Sequence, residues 1–221
     1  MGEGIKLNIA KIFYSIQGEG VNQGVPTTFV RLQGCNLLTP CSWCDTKFAQ
    51  GNGGTLLSID NILAEVVAAE PRTYKHWVCI TGGEPLFQPK GLHELVKALN
   101  RYGFLIEIET NGSIPKPFWW TIVDSWVADI KCPSSGVCGT SREQDWFEAR
   151  TQDQVKFVVG STDDIAFARQ VIMRNAARNP VVLVSPVIQL GKALIMAETV
   201  KLCLELKVRL SLQIHKYAEV E

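Results

Sequence analysis

Apolar residues in this chain recur with two alternating periods. Lys6 to Ser15 and Thr27 to Gln33 read as strands, and a turn-rich stretch ending in Asn52-Gly53-Gly54 follows them. The period then lengthens. Ile59, Ile62, Leu63, Val66 and Val67 share one helical face, with Ser58 as N-cap and Pro71 closing the helix. Trp77 to Thr81 is a short strand, and Leu92, Leu95, Val96 and Leu99 predict a second helix that ends at Gly103. Strands are expected at Phe104 to Thr110, Ser125 to Lys131, Val155 to Val159 and Val181 to Ser185, and a last one at Val208 to Ile214. Helices are expected from about Asp163 to Arg178 and from about Lys192 to Leu206.

That order predicts an α/β fold whose mostly parallel sheet carries helices on one outer face. The helices are too few for a complete eight-unit barrel, so a partial, open TIM-like barrel is expected. Sites in such folds lie at the C-terminal ends of the strands. The cysteine-rich loop after Gln33, the glycines after Thr81, Asn111-Gly112 after Thr110, and His215 after Ile214 all fit that rule. No repeat, low-complexity segment or linker divides the chain, so residues 1–221 are read as one domain.

Composition narrows the function. The hydrophobic share is 46%, enough for a sizeable core. Lys plus Arg number 22 and Asp plus Glu also 22, and no basic run stands out, so neither nucleic acid nor a membrane surface is an expected partner. No apolar run approaches the roughly 18 residues of a membrane span. Met1-Gly-Glu-Gly-Ile-Lys6 lacks the apolar core of a signal peptide. Seven cysteines, an odd number with four of them scattered, suit a reduced, cytoplasmic setting better than a disulfide framework.

The other three cysteines carry the chemistry: Cys35, Cys41 and Cys44 lie in one short stretch. Three thiolates fill three corners of a [4Fe–4S] cluster and leave one iron open, whereas electron carriers normally supply four. The rival readings are a zinc site with His76 as fourth ligand, and inert buried thiols. Downstream, Thr81-Gly82-Gly83-Glu84-Pro85 follows a strand. Its glycines permit close backbone approach to a ligand, and Glu84 could accept from an ammonium group. On its own, such a turn is ordinary.

Together, the two motifs resemble the radical S-adenosylmethionine (SAM) superfamily, with a first cysteine gap of five residues, Asn36 to Pro40, in place of the usual three. The resemblance implies a [4Fe–4S] cluster whose open iron chelates the methionine moiety of SAM, and a barrel of the radical SAM type. Further stretches extend it: Phe13-Tyr-Ser-Ile16-Gln17-Gly18-Glu19-Gly20, Phe29-Val-Arg31-Leu-Gln-Gly-Cys35, Cys44-Asp45-Thr46, Glu109-Thr-Asn111-Gly112, Asp129-Ile130-Lys131-Cys132-Pro-Ser-Ser-Gly136, and Gln213-Ile-His215-Lys-Tyr217. From Phe13 to the C-terminus the chain is similar to the 7-carboxy-7-deazaguanine synthase (QueE) family.

What that resemblance implies is a ring contraction of 6-carboxy-5,6,7,8-tetrahydropterin to 7-carboxy-7-deazaguanine with release of ammonia, in 7-deazapurine (queuosine or archaeosine) biosynthesis. SAM is re-formed after the radical abstracts hydrogen from C6. Mg²⁺ close to the substrate, an external electron donor such as flavodoxin or ferredoxin, and a homodimer are implied too. Cluster ligands carry over to Cys35, Cys41 and Cys44, and the Mg²⁺ contact to Thr46. Cofactor contacts carry over to Trp43, Cys44, Asp45, Gly83, Glu84, Asp129, Ile130, Lys131, Ser185, Pro186, Val187 and Ile188. Substrate contacts carry over to Ile16, Gln17, Gly18, Glu19, Arg31, Thr81, His215 and the terminal carboxylate of Glu221, six residues after His215.

These assignments make chemical sense. Arg31 offers a rigid donor fork to a carboxylate, and Gln17 and Glu19 can pair with the aminopyrimidinone edge. Cys79 and Cys203 read as core. Cys132 and Cys138 flank a turn and could form a second metal pair, though no third ligand is near. Phe118, Trp119 and Trp120 form either an apolar dimer patch or core. Two other functions remain open: an activase that installs a glycyl radical on a partner protein, and a zinc-stabilised scaffold.

Overall fold

The structure, a computed structural model, describes residues 4–69, 76–189 and 192–220. Pro71 and Glu221 lie outside the described residues. The chain begins with an antiparallel hairpin, β1 (Lys6–Ile16) and β2 (Pro26–Leu32), and β3 (Thr55–Ser58) adds to the far side of β1. Then α1 (Ile59–Ala69), β4 (Trp77–Gly82), α2 (Pro89–Arg101), β5 (Leu105–Thr110) and β6 (Ser125–Asp129) follow. After the short α3 (Glu143–Phe147) come β7 (Gln154–Val159), α4 (Thr162–Arg174) and β8 (Val181–Pro186). The chain ends with the small hairpin β9 (Ile188–Gln189) and β10 (Lys192–Ala193), α5 (Met196–Leu206), β11 (Arg209–Leu210) and α6 (His215–Ala218).

Nine strands form one sheet in the order β11-β8-β7-β6-β5-β4-β2-β1-β3. From β2 to β11 every neighbour is parallel. The edge strands β11 and β3 do not pair with each other, so the barrel is open.

Pleating sorts each strand into two faces. Val78, Ile80, Ile106, Ile108, Trp126, Ala128, Val155 and Phe157 belong to the main apolar core, with Leu92, Leu95, Val96 and Leu99 of α2 and with Ala168, Val171 and Ile172 of α4. The opposite face is mostly polar: Arg31, Cys79, Thr81, Glu107, Glu109, Ser125, Asp129, Gln154 and Lys156 sit on it, with Phe29, Val127 and Val158 among them. Helix α4 starts from a capping box in which Ser161 Oγ accepts from the Asp164 amide while Asp164 accepts from the Ser161 amide.

The sequence misses three things. β3 is hidden in the turn-rich stretch. The helix expected from Lys192 begins at Met196, because Lys192 and Ala193 pair with Gln189 and Ile188. The last strand is only Arg209–Leu210; beyond it the chain turns away and His215 opens α6 instead of ending a strand. No described helix is long and apolar enough to cross a membrane.

Candidate active site

At the carboxyl ends of the parallel strands lies a cavity of about 430 Å³. Two glycines place the cysteine loop over it. Gly82 has φ +136°, and a Cβ on Gly83 would collide with the Gly34 carbonyl. The close approach is therefore made to the protein's own backbone: Gly83 N donates to Leu32 O at 3.1 Å and Glu84 N to Gly34 O at 2.8 Å. The loop is also pinned on its other side, where Ser42 donates from its amide and hydroxyl to Ser135 O and Ser134 O. Leu38 and Thr39, in the long first gap, are exposed, so the extra residues bulge outward and leave the three thiols facing in.

Cys35, Cys41 and Cys44 are free, half-buried and line the cavity. Gln50 Nε2 lies 3.0 Å from Cys44 Sγ and Asn111 Nδ2 lies 3.8 Å from Cys35 Sγ. Burial pushes the Cys41 thiol up, and the Lys131 charge opposes it. Soft sulfur donors with amide N–H groups near them and room beside them fit an iron–sulfur cluster held by three thiolates. The zinc alternative fails on geometry. His76 precedes β4, at the opposite end of that strand, and six strand residues span roughly 20 Å. Cys132 is buried with its Sγ toward Ile130 O and Cys138 is exposed, which gives no second metal pair.

Most of the residues named from sequence meet at this cavity. Ile16, Gln17, Gly18, Glu19, Arg31, Trp43, Asp45, Thr46, Thr81, Gly83, Asp129, Lys131 and His215 all line it. Gln17 and Glu19 arrive by a route the strand-end rule does not give. The loop after β1 leaves from the amino ends of the parallel strands and folds inward. The C-terminal segment holds it there: Ile214 N donates to Gly18 O at 2.9 Å, and a Cβ on Gly18 would strike the His215 ring.

Five of the residues expected at the cofactor do not line this cavity. Ile130, Ser185, Pro186, Val187 and Ile188 are buried away from the cavity wall. Glu84 does not line it either, and its carboxylate is met by protein donors. It accepts from Leu86 N, Thr110 Oγ1 and Asn111 N at 3.0, 2.8 and 2.7 Å and is wholly buried. Burial pushes its pKa up to about 7 against those donors. Glu84 thus ties the end of β4 to the end of β5, and three of the about four acceptor directions of its carboxylate are taken by protein donors.

Arg31 projects from β2 over the Phe13 ring, 5.5 Å from its centroid, and Phe13 stacks on Phe29 at 5.0 Å. No described carboxylate lies within ion-pair distance of Arg31. Thr81 Oγ1 donates to Glu109 at 2.9 Å. Beneath them, Cys79, Glu107 and Glu109 bring their ligand atoms within 4.8 Å of one another. Protein donors close that group: Gln17 Nε2 reaches Glu107 at 2.6 Å and Glu109 at 3.2 Å, and Asn22 reaches Glu107 at 2.7 Å.

Sequence reasoning missed Lys156, Gln213 and Lys216, which also line the cavity. The alternation Gln154-Val155-Lys156-Phe157 was the available signal for Lys156, since a polar residue at every second position of a buried strand marks its inner face. Lys131 bonds Asp129 at 2.6 Å, and Lys216 bonds Asp45 at 3.2 Å, which links the C-terminal segment to the cysteine loop. Phe118 is exposed and Trp119 is buried on His93 at 5.0 Å, so the aromatic run divides between the surface and the core reading.

Residues 29–131 match the Radical SAM superfamily model. A 7-carboxy-7-deazaguanine synthase of Methanospirillum hungatei JF-1 is 38% identical over 96% of this chain and 85% of its own length. One from Rickettsia prowazekii is 34% identical over 100% of this chain and 91% of its own. The crystal structure of QueE from Escherichia coli superimposes with a TM-score of 0.69 at 25% identity, covering 94% of this chain and 93% of that one. With three thiols, an open barrel and relatives along its whole length, the chain belongs to the 7-carboxy-7-deazaguanine synthase family of radical SAM enzymes.

Proposed function

We propose that this chain contracts the ring of 6-carboxy-5,6,7,8-tetrahydropterin to 7-carboxy-7-deazaguanine with loss of ammonia, for 7-deazapurine biosynthesis. The observation that carries the reading is the combination of Arg31, which lacks a carboxylate partner among the described residues, with the three cysteines in one cavity. When bound at Cys35, Cys41 and Cys44, the cluster and SAM supply a 5′-deoxyadenosyl radical. The protein's own residues bind and orient the pterin. Arg31 takes its carboxylate through two parallel N–H bonds, Phe13 and Phe29 form an apolar wall, and Gln17 and Glu19 meet the aminopyrimidinone edge. Gly83, Trp43, Asp45, Asp129 and Lys131 border the SAM side, and His215 shields the pterin.

Thr46, next to Asp45 on the cysteine loop, is the hydroxyl proposed to ligate Mg²⁺ beside substrate oxygens and water. The Glu221 carboxylate is proposed as a further acceptor for the pterin. An external donor such as flavodoxin or ferredoxin supplies the electron. Residues 1–221 act as one radical SAM domain, paired as a homodimer in a reducing, cytoplasmic setting. The activase reading is not favoured, since the curated relatives that cover this chain are small-molecule synthases.

The test is anaerobic reconstitution with iron and sulfide, then incubation with SAM, Mg²⁺, a chemical reductant and carboxytetrahydropterin. Formation of 7-carboxy-7-deazaguanine with ammonia is expected. A protein with a complete cluster that consumes no pterin would contradict the proposal.

A further inference from the structure

A buried lysine on the inner face is used by none of the roles above. Lys156 on β7 is 7% exposed, and its Nζ lies 2.5 Å from Glu19 Oε2 and 3.4 Å from Asp129 Oδ1. Asp129 already bonds Lys131 at 2.6 Å, so Glu19 is the closer partner of Lys156. The other oxygen of Glu19 accepts from Gln213 Nε2 at 2.7 Å. Each carboxylate oxygen is therefore gripped from a different element, one from β7 and one from the C-terminal segment. A carboxylate has about four acceptor directions. Two are taken, so about two remain, and Glu19 and Lys156 both line the cavity.

We propose that Lys156 is a positioning residue that holds the Glu19 carboxylate in a single orientation as the acceptor for the adjacent N–H donors of a 2-amino-4-oxopyrimidine edge. The proposal rests on the pterin reading of the cavity and deepens it. The ring edge in question presents an amino group beside a ring N–H, two donors side by side, and only an ionised carboxylate offers two acceptors to match them. Burial works against that state by pushing the Glu19 carboxyl up. The Lys156 charge and hydrogen bond, helped by Gln213 and His215, outweigh it and hold the group down to about 2. Without Lys156 only Gln213 and His215 would oppose the burial penalty, so the carboxylate would be held less firmly in its ionised form and in its orientation.

The test is a double-mutant cycle on the reconstituted enzyme with Lys156→Met and Glu19→Gln, reading KM, kcat, iron content and equilibrium binding of carboxytetrahydropterin. Lys156→Met is expected to raise KM by about 10-fold or more, the scale of one lost charge-assisted hydrogen bond, with kcat and iron content near wild type. The double variant is expected to bind no more weakly than Glu19→Gln alone, since Lys156 acts through Glu19. Lys156→Arg, which keeps the charge, is expected to recover part of the loss. If Lys156→Met does not fold, Lys156→Gln serves in the same cycle. Normal KM in the Lys156 variants, additive losses in the cycle, or a defect confined to kcat or to iron content would overturn the proposal alone. Wild-type protein that does not bind the pterin would overturn the pterin reading and this proposal with it.

Discussion

Along β4, β5 and β7, inner-face residues two positions apart meet different surroundings. Cys79, Glu107 and Gln154 form a lower tier closed off from the cavity, whereas Thr81, Glu109 and Lys156 form an upper tier that lines it. Both tiers are polar and both come from the same pleat. The lower one is saturated internally: Glu107 accepts from Gln17, Asn22 and Gln154, and Gln154 also donates to Ser125 at 3.0 Å. In the upper one, Arg31 has no carboxylate partner among the described residues and Glu19 keeps acceptor capacity to spare. The contrast predicts that a polar residue inside this barrel is structural where protein donors complete it and functional where they stop short.

The contrast can be broken in several places, and the largest effect is expected at the cavity roof. Replacing Cys44 by Ala should abolish iron–sulfur absorbance near about 400 nm and turnover, because two thiolates do not hold the cubane. Circular dichroism should show the fold intact, since Cys44 lies on a loop outside the apolar core.

The next largest effect is expected at Arg31. Arg31→Met should raise KM for the carboxypterin by roughly 10- to 100-fold, the scale of a lost charge-assisted pair, and leave melting temperature almost unchanged. A large stability loss with normal KM would move Arg31 into the structural tier.

The lower tier should answer to pH in its stability and not in its substrate binding. Burial, then the neighbouring Glu109 charge, pushes Glu107 up to about 7 against the hydrogen bonds of Gln17 and Asn22. A carboxyl whose folded pKa exceeds its unfolded value of about 4.3 contributes stability that is full below that value and is lost as pH rises through about 7. Stability should therefore fall by at most about 3 kcal/mol between pH 4.5 and 7.5 from Glu107, at 1.36 kcal/mol per pKa unit. Glu84 adds a term of the same sign. Denaturant titrations of Glu107→Gln should show a shallower pH slope than wild type; an equal slope would remove Glu107 from the account.

The smallest effect is expected for Cys138→Ser. Its thiol is exposed and outside the cavity, so iron content and turnover should match wild type. A drop in bound metal would revive the second metal pair.

Much of this arrangement was legible in the chain, for physical reasons that also mark the limit. Period and caps located the parallel strands and the helices behind them, because one-sided burial leaves a pattern. The cysteine triplet declared itself through ligand chemistry. Contacts between distant segments left no such trace. Leu210, Leu212 and Ile214 alternate like a strand, yet Ile214 N bonds Gly18 O, and the segment serves to clamp the β1–β2 loop. Glu84 sits in a motif that suggests ligand binding, but two of its three donors come from the end of β5 and the residue after it, 26 and 27 residues away. Ser185 to Ile188 lie at a strand end as expected, but the cavity does not extend to them. Lys156 was hidden in a strand that reads as apolar because its neighbours Val155, Phe157 and Val158 dominate the pattern.

The central claim is that Cys35, Cys41 and Cys44 leave one iron open and that SAM binds there. Pulsed electron paramagnetic resonance on the reduced, reconstituted protein, with SAM labelled at its amino nitrogen and carboxylate carbon, tests it most directly. Hyperfine coupling from both labels to the cluster is expected, lost when any one of the three cysteines is replaced. Full turnover with no coupling from either label would contradict it.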